Sequence, residues 1–257
     1  MRKLTKKQQS LIKTPQQIAG IRKAGVLNTA VLDMVEEKIR EGVSTEDINR
    51  WVHEFTLAHG GIPAPLNYEG FPKSCCTSLN DVVCHGIPSD EEILEEGDIV
   101  NVDVTTIVDG YYADASRMFM IGKVDEEDAR LVRVAKECME AGAAALFPGC
   151  FVNEQAKAIV KLAHQNGYTV VRDLCGHGVG TKFHEDLEID HFETGKKGAM
   201  LLPGMVFTIE PMINAGSHDV CVDADDGWTV FTDDGEWSAQ WEKTYLMTEE
   251  GLEIITH

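Results

Sequence analysis

One stretch of this chain recurs further along the sequence, and that repetition limits the folds the chain can adopt. Residues 42–60 read GVSTEDINRWVHEFTLAHG and residues 149–167 read GCFVNEQAKAIVKLAHQNG, so a glycine bounds each copy at both ends. The offset between the copies is 149 − 42 = 107 residues. Self-similarity at a fixed offset indicates that one supersecondary unit is built twice.

The same offset continues into a later apolar segment. Gly97 maps to Gly204, which aligns LEEGDIVNVDV with LLPGMVFTIEP and places Asp103 on Glu210. Each half is predicted to contain a helix, a glycine break, a second helix and then a buried strand. Glycine spacing that coincides by chance in two α/β stretches is the alternative, but apolar and acidic positions also match at this offset. No linker rich in proline, glycine or serine separates the halves, so the sequence predicts one pseudo-symmetric α/β domain.

The segment before the first copy has the periodicity of an amphipathic helix. Its apolar positions 18, 21, 32, 35 and 39 are spaced by three and four residues with one longer gap, as one buried helix face requires. Ser44 and Asn153 are the predicted N-caps of the second helix in each half, because short polar side chains accept hydrogen bonds from the first-turn amides.

Composition narrows the class of protein. A net charge of -20 over 257 residues argues against broad nucleic-acid binding. No apolar run approaches the roughly 18 residues of a membrane helix, and no signal peptide is expected. Seven cysteines without a CxxC pair do not form a disulfide pattern and suit a reducing compartment. A cytoplasmic protein that does not bind membranes is therefore expected.

Carboxylates recur on the predicted strands. Asp103 ends the apolar segment IVNVDV, and Asp114 follows a hairpin predicted at Asp109–Gly110. Glu210 ends MVFTIE, and Glu242 lies on a strand that returns after a longer excursion. Any one of these acids could be a turn residue or a solvated strand end. Four acids in symmetric pairs favour a shared site, and since clustered carboxylates need cations to stay ionised, two divalent metals are predicted.

A glycine-rich stretch lies between the two pairs of strands. Residues 175–185 read CGHGVGTKFHE, and glycines at alternate positions favour a loop that can approach a ligand closely. His177 is the candidate imidazole ligand of the metal site. His184 is then free to act on substrate.

Several segments together resemble one known family. CHGIP, GDIVNVDV, YYADASRMF, CGHGVGTKFHE, FTIEPM and SAQWEKT occur here in the order found in type I methionine aminopeptidases. The resemblance extends from about residue 14 to the C-terminus. It implies the pita-bread fold, in which two pseudo-symmetric halves share a curved, mostly antiparallel sheet covered by helices. Residues 14–257 are thus expected to form one catalytic domain after a basic arm of residues 1–13.

The resemblance also implies a set of ligands and a reaction. The implied metal ligands are Asp103, Asp114, His177, Glu210 and Glu242, with Asp114 and Glu242 bridging two divalent ions such as Co, Mn, Fe or Zn. The implied reaction removes the initiator methionine from new polypeptides when the second residue is small. Glu210 is expected to move the proton. His184 is expected to stabilise the developing oxyanion, and His85 to contact the scissile amide.

The resemblance points to a methionine pocket and shows some departures from the family. The implied pocket residues are Tyr68, Phe71, Cys76, Phe183 and Trp228, although aromatic residues such as these often belong to a core instead. Phe71 stands where tyrosine is common, Pro65 where cysteine is common, and Lys243 where histidine is common. None of these three is an expected ligand, so the departures concern the surroundings of the site.

The sequence is also compatible with two other functions and with one macromolecular partner. Proline-specific peptidases of the same fold resemble the chain around the ligands, and a non-catalytic binding protein could retain the fold without metals. The arm carries Arg2, Lys3, Lys6, Lys7 and Lys13 without an acid, so it either touches ribosomal RNA or is a solvated, mobile end. The protein is expected to act as a monomer.

Overall fold

Five helices lie in the part of the chain that a computed structural model describes, which is residues 5–257 apart from the side chain of residue 7. The helices are α1 (Lys6–Leu11), α2 (Pro15–Lys38), α3 (Thr45–Ala58), α4 (Glu126–Ala144) and α5 (Asn153–Gln165), and a short 3-10 turn covers Tyr68–Gly70. The predicted order of two helices before a buried strand in each half is therefore present.

The strands are short except at the centre of the molecule. The strands are β1 (Ile62–Pro63), β2 (Cys76–Leu79), β3 (Val82–Cys84), β4 (Ile99–Val108), β5 (Tyr111–Met120), β6 (Thr169–Val170), β7 (Gly176–Gly178), β8 (Glu185–Ile189), β9 (Val206–Ile209), β10 (Met212–Asn214), β11 (Val220–Val222), β12 (Val230–Thr232), β13 (Ser238–Gln240), β14 (Glu242–Met247) and β15 (Leu252–Ile254).

One nine-stranded antiparallel sheet joins the two halves. Its order is β1-β4-β5-β14-β9-β7-β8, with β2 paired to β4 and β15 paired to β14. The halves meet where β5 pairs with β14, so the sheet is continuous across the pseudo-two-fold axis. Helix α2 packs against β4 and β5, and helix α4 packs near β9, β10 and β13. Each helix covers a separate hydrophobic cluster. The predicted fold, a curved and mostly antiparallel sheet with helices over it, is confirmed.

The internal repeat extends to individual backbone hydrogen bonds. Gly42 N–H donates to the Leu94 carbonyl at 2.8 Å, and Gly149 N–H donates to the Leu201 carbonyl at 2.7 Å, which is the same bond shifted by 107 residues. The two glycines adopt φ of +81° and +89°, a left-handed conformation that strains other residues. The same backbone turn therefore occurs at both positions, which favours the structural interpretation of the repeat over chance coincidence.

The two halves start their second helices differently. Ser44 forms a full capping box with Asp47, so its prediction as an N-cap is confirmed. Asn153 is instead the first helical residue of α5, and the N-cap is Val152, without a side-chain hydrogen bond. The Asn153 prediction is wrong by one residue, because offset 107 carries Ser44 to Phe151 rather than to a polar residue.

Part of the predicted basic arm packs onto the body of the molecule. Leu11 is buried, Ile12 forms an isolated antiparallel bridge with Met205, and Lys13 N–H donates to the Gly204 carbonyl at 2.8 Å. Lys13 is only 6% exposed, so this lysine is no part of a solvated arm. Arg2 and Lys3 lie outside the described residues.

Two predictions from composition can be compared with the fold. All seven cysteines are free thiols, in agreement with the absence of a disulfide pattern. Within residues 5–257, no helix has the length and apolar character needed to span a membrane.

Candidate metal centre and active site

All the predicted site residues line one cavity of about 400 Å³. Its walls include the five predicted ligands, the two predicted catalytic histidines and the five predicted pocket residues: Asp103, Asp114, His177, Glu210, Glu242, His85, His184, Tyr68, Phe71, Cys76, Phe183 and Trp228. Residues separated by up to 174 positions in the sequence (242 − 68 = 174) thus meet at one place.

Adjacent strands at the centre of the sheet carry the carboxylates. In the β4–β5 hairpin, Asp103 lies opposite Ser116 and Asp114 lies opposite Thr105. Glu242 on β14 also lies opposite Ser116, which places it beside the hairpin. The predicted turn at Asp109–Gly110 is confirmed, with φ of +51° and +82°, as a tight hairpin requires. Asp103 lies in the middle of β4 rather than at its end, because the strand continues to Val108.

Burial makes this group of acids hard to ionise without a cation. Desolvation raises the pKa of Asp103 to about 7 and that of Glu210 to about 8. Desolvation and neighbouring carboxylates hold the pKa values of Asp114 and Glu242 well above their ordinary values. The Glu242 Oε1 atom is buried and has no hydrogen-bond partner among the described residues. Buried carboxylates with an unused oxygen are the environment that a divalent cation stabilises.

His177 presents one ring nitrogen to the acids. Its Nδ1 lies 3.0 Å from the carbonyl oxygen of Gly178 and donates there in the neutral ring. Its Nε2 lies 3.6 Å from Asp114 Oδ2 and 3.6 Å from Glu210 Oε1. Burial lowers the pKa of His177 to about 3, so the ring is neutral and Nε2 carries a lone pair. Donor atoms of Asp114, His177 and Glu242 all lie within 4.8 Å of one another, so these residues fit a metal ion.

Hydroxyl and amide groups orient the carboxylates. Thr105 Oγ1 donates to Asp114 Oδ1 at 2.7 Å, and Thr208 Oγ1 donates to Glu210 Oε1 at 2.6 Å. Gln240 Nε2 donates to Glu210 Oε2 at 3.3 Å. These contacts fix carboxyl planes before any metal binds, which is how supporting residues tune a metal centre.

His191 belongs to the site, although the sequence reasoning missed it. This imidazole is 1% exposed, and its Nε2 accepts from the Glu210 backbone N–H at 3.1 Å. Burial lowers its pKa to about 3, which keeps the acceptor lone pair available. A histidine in an otherwise acidic loop, 14 residues after His177 (191 − 177 = 14), was a weak signal in the sequence.

The other two histidines border the open part of the cavity. His184 Nδ1 lies 2.8 Å from the Tyr68 hydroxyl, and the ring stacks on Phe183 with centroids 4.4 Å apart. The ring centroids of His184 and His177 are 4.2 Å apart. His85 adopts φ of +57°, and burial lowers its pKa to about 4. Burial also lowers the pKa of His184. A neutral imidazole at either position can donate from one ring nitrogen.

An aromatic wall borders the same cavity. Phe71 and Trp228 meet edge to face with centroids 5.3 Å apart, and Tyr68 and Phe183 lie 4.7 Å apart. Phe71 is 3% exposed, so it contributes to packing as well as to the wall. Such a surface suits an apolar, polarisable side chain.

The three departures from the family pattern lie in different places. Pro65 and Phe71 line the cavity itself. Lys243 follows Glu242 on β14 and so points to the opposite face of the sheet, where it lines a separate cavity with Arg117 and Lys136. Burial and these two cations lower the pKa of Lys243. The Lys243 side chain is therefore directed away from the cavity that holds the four acids.

Comparison with known proteins identifies relatives over nearly the whole chain. Residues 19–249 match the model of metallopeptidase family M24. Methionine aminopeptidase A of Synechocystis sp. is 47% identical over 241 residues, which cover 94% of this chain and 95% of that protein. The crystal structure of methionine aminopeptidase from Rickettsia prowazekii superposes with a TM-score of 0.93 at 45% identity and covers 96% of this chain and 99% of that one.

A proline-specific enzyme shares the fold at greater distance. Prolidase from Pyrococcus furiosus superposes with a TM-score of 0.78 at 23% identity, and the match covers 98% of this chain but 66% of that one. At this identity the likeness concerns the fold alone. It gives no support to proline specificity.

Proposed function

The chain belongs to metallopeptidase family M24 and, within it, to the methionine aminopeptidases, and from this premise we propose that it removes the N-terminal methionine of polypeptides by hydrolysis assisted by two divalent metal ions. The observation that carries the proposal is the cavity lined by four carboxylates, three of them buried, together with a neutral imidazole and an aromatic wall. Family membership suggests the substrate, and the cavity supports the chemistry.

The proposed ligands divide between bridging and terminal positions. Asp114 and Glu242 would hold both ions, Asp103 would hold one of them, and His177 with Glu210 would hold the other. Support comes from the free Oε1 of Glu242 and from the 3.6 Å distances between His177 Nε2 and the oxygens of Asp114 and Glu210. Bound divalent ions supply Lewis acidity and lower the pKa of a coordinated water.

Residues of the chain then guide the proton and the developing charge. Water adds to the carbonyl carbon of the first peptide bond, and Glu210 carries a proton from that water to the leaving nitrogen as the C–N bond breaks. Thr208 and Gln240 keep the Glu210 carboxyl group in place. His184 has Nδ1 against the Tyr68 hydroxyl, which leaves Nε2 to donate to the carbonyl oxygen as it becomes negative. His85 contacts the scissile amide from the opposite wall.

The aromatic wall forms the proposed pocket for the methionine side chain. The wall consists of Tyr68, Phe71, Phe183 and Trp228. Cys76, which also lines the cavity, lies opposite Asp103 on the neighbouring strand. Contacts between sulfur and aromatic rings favour a thioether here. A preference for a small second residue rests on the family resemblance alone.

The test uses apo enzyme prepared by chelation and three peptides. We expect no hydrolysis of Met-Ala-Ser by the apo form and recovery when Co, Mn, Fe or Zn is added back. Met-Lys-Ser tests the second position, and an Ala-Pro peptide tests the proline-specific alternative. Equal turnover of the Ala-Pro peptide, or full activity with metal shown to be absent, contradicts the proposal. An inactive protein that binds no metal indicates the non-catalytic alternative.

A further inference from the structure

A buried ion pair ties the N-terminal segment to the loop that carries His184. The Lys13 ammonium contacts the Glu185 carboxylate, and their side chains are only 4% and 9% exposed. In the other described lysine and arginine ion pairs, each side chain is at least 15% exposed, as for Lys23 and Asp109 at 68% and 69%. Removing two charges from water costs free energy, which the pair offsets only with good geometry and further hydrogen bonds. A buried pair at this place is therefore unlike an ordinary surface ion pair.

Glu185 organises the turn that precedes it. Its Oε1 accepts from the Thr181 backbone N–H at 2.8 Å and from the Thr181 hydroxyl at 2.9 Å, while Oε2 contacts Lys13. Gly180 opens the turn with φ of +135°, and a Cβ there would lie 2.4 Å from Ile21 Cδ1. The turn is therefore closed by one carboxylate and packed against α2.

Lys13 is itself fixed by the C-terminal half. Its backbone N–H donates to Gly204, and the neighbouring Ile12 pairs with Met205 just before β9. Leu11 adds a buried side chain to the C-terminal core cluster. The ammonium thus has a defined position relative to β9, the strand that leads to Glu210.

His184 is the residue directly before Glu185, and its ring lies against Tyr68, Phe183 and His177. The ring is held by the Tyr68 hydroxyl and by stacking on Phe183, which belongs to the same turn. We propose that Lys13 and Glu185 are positioning residues, which hold the 180–185 turn so that the His184 imidazole meets the substrate carbonyl. The inference rests on the proposed function, because it needs His184 to act on the transition state.

The test separates positioning from simple stabilisation. Lys13→Met leaves a buried carboxylate unpaired, whereas the double variant Lys13→Met/Glu185→Leu replaces the pair by apolar side chains, which commonly restores stability. The double variant still lacks the acceptor for Thr181. Lys23→Met, which removes an exposed pair, is the matched control.

We expect Lys13→Met to lower kcat on Met-Ala-Ser by roughly 10- to 100-fold, the range typical of residues that orient functional side chains without contacting the substrate themselves. KM and metal content should change little, since His184 acts on charge that develops after binding. The double variant should regain the melting temperature but not kcat, and hydrogen exchange at the Thr181 amide should be fast in it because its acceptor, Glu185 Oε1, is gone. Lys23→Met should match the wild type in each measurement.

Two results overturn the inference: unchanged kcat in Lys13→Met, or joint recovery of kcat and melting temperature in the double variant. Failure of the proposed function has a different signature, since the wild-type enzyme would then not hydrolyse Met-Ala-Ser. Exchange at Thr181 is independent of activity, and protection that persists in the double variant is a third result that refutes the inference, because Glu185 would then not hold the turn.

Discussion

The two halves of the molecule repeat their helices and turns but connect their carboxylate-bearing strands differently. In the N-terminal half, Asp103 and Asp114 lie on one tight hairpin, with residues 104–113 between them. In the C-terminal half, residues 211–241 separate Glu210 from Glu242, a segment we call the excursion. The excursion contains β10 to β13 and so completes both three-stranded sheets.

This difference separates two tasks. Some segments occur in both halves at equivalent positions, namely the paired glycine turns and the central strands. These segments bring the four acids together. The parts that break the repeat supply the groups around the substrate. Trp228 comes from the excursion, and His184 comes from the segment between β7 and β8. We infer that the symmetric frame, which consists of β4, β5, β9 and β14 with their four acids, binds the metals together with His177 on β7, and that the asymmetric segments contact the peptide.

The largest expected effect comes from the frame. Asp114→Asn and Glu242→Gln each remove a proposed bridging charge from a different half, so both should lose metal and lower kcat/KM by at least about 1000-fold, since metal assistance is worth several kcal/mol. Metal analysis after dialysis and kinetics on Met-Ala-Ser measure both effects. Two tightly held ions in both variants would exclude these residues as ligands.

A smaller and different loss is expected in the asymmetric loop. His184→Ala should lower kcat by about 100- to 1000-fold while metal binding and KM change little, because a donor to the developing oxyanion acts only in the transition state. His177→Ala should lower metal affinity as well. If His184→Ala loses metal as readily as His177→Ala, or keeps full turnover, the division between the two histidines is wrong.

The excursion offers a third contrast. Trp228→Ala removes part of the aromatic wall and should lower kcat/KM on Met-Ala-Ser by roughly 10- to 100-fold, as expected for lost apolar contact with a side chain. Metal content should equal that of the wild type, because Trp228 contacts Phe71 and His85 rather than a carboxylate. Trp237→Phe, on the same excursion but outside the cavity, is the control. Metal loss in Trp228→Ala would show that the excursion also supports the metal centre.

The smallest effect tests the repeat itself. Gly42 and Gly149 have φ of +81° and +89°, and a Cβ added at either glycine would meet no atom within 4 Å. An alanine at either position therefore suffers only backbone strain, and each substitution should lower the free energy of unfolding by about 1 kcal/mol. Denaturant unfolding measures this, and kcat on Met-Ala-Ser should not change. Clearly unequal losses would mean that the two turns are not equivalent.

The frame was predictable from sequence because its rules are local and occur twice. Glycine spacing, apolar periodicity and the Asp109–Gly110 turn each have a direct backbone cause, and the repeat supplied the pairing of Asp103 with Glu210. The cap at Asn153 was not predictable in this way, because the C-terminal copy replaces the capping serine by Phe151 and starts its helix without a side-chain bond. A repeat predicts equivalent backbone positions but not equivalent side chains.

The surroundings of the site were less predictable because they depend on tertiary contacts. The hydrogen bond from the Glu210 amide to His191 and the ion pair of Lys13 with Glu185 join residues whose relation no periodicity encodes. A basic segment suggests that Lys13 is solvated, since charge alone does not reveal a buried partner 172 residues away. Only the family resemblance points to the pocket aromatics, because an aromatic residue in a sequence indicates a core as readily as a cavity.

Anomalous diffraction from crystals grown with Mn or Co tests the central claim most directly. We expect two anomalous peaks, one for each ion. Asp114 and Glu242 should lie within coordination distance of both ions, Asp103 of one, and His177 with Glu210 of the other. Each half of the molecule would then contribute ligands to the same dinuclear centre. Peaks confined to one half, or no peak among the four carboxylates at saturating metal, would contradict the claim that the repeated frame exists to bind the metals.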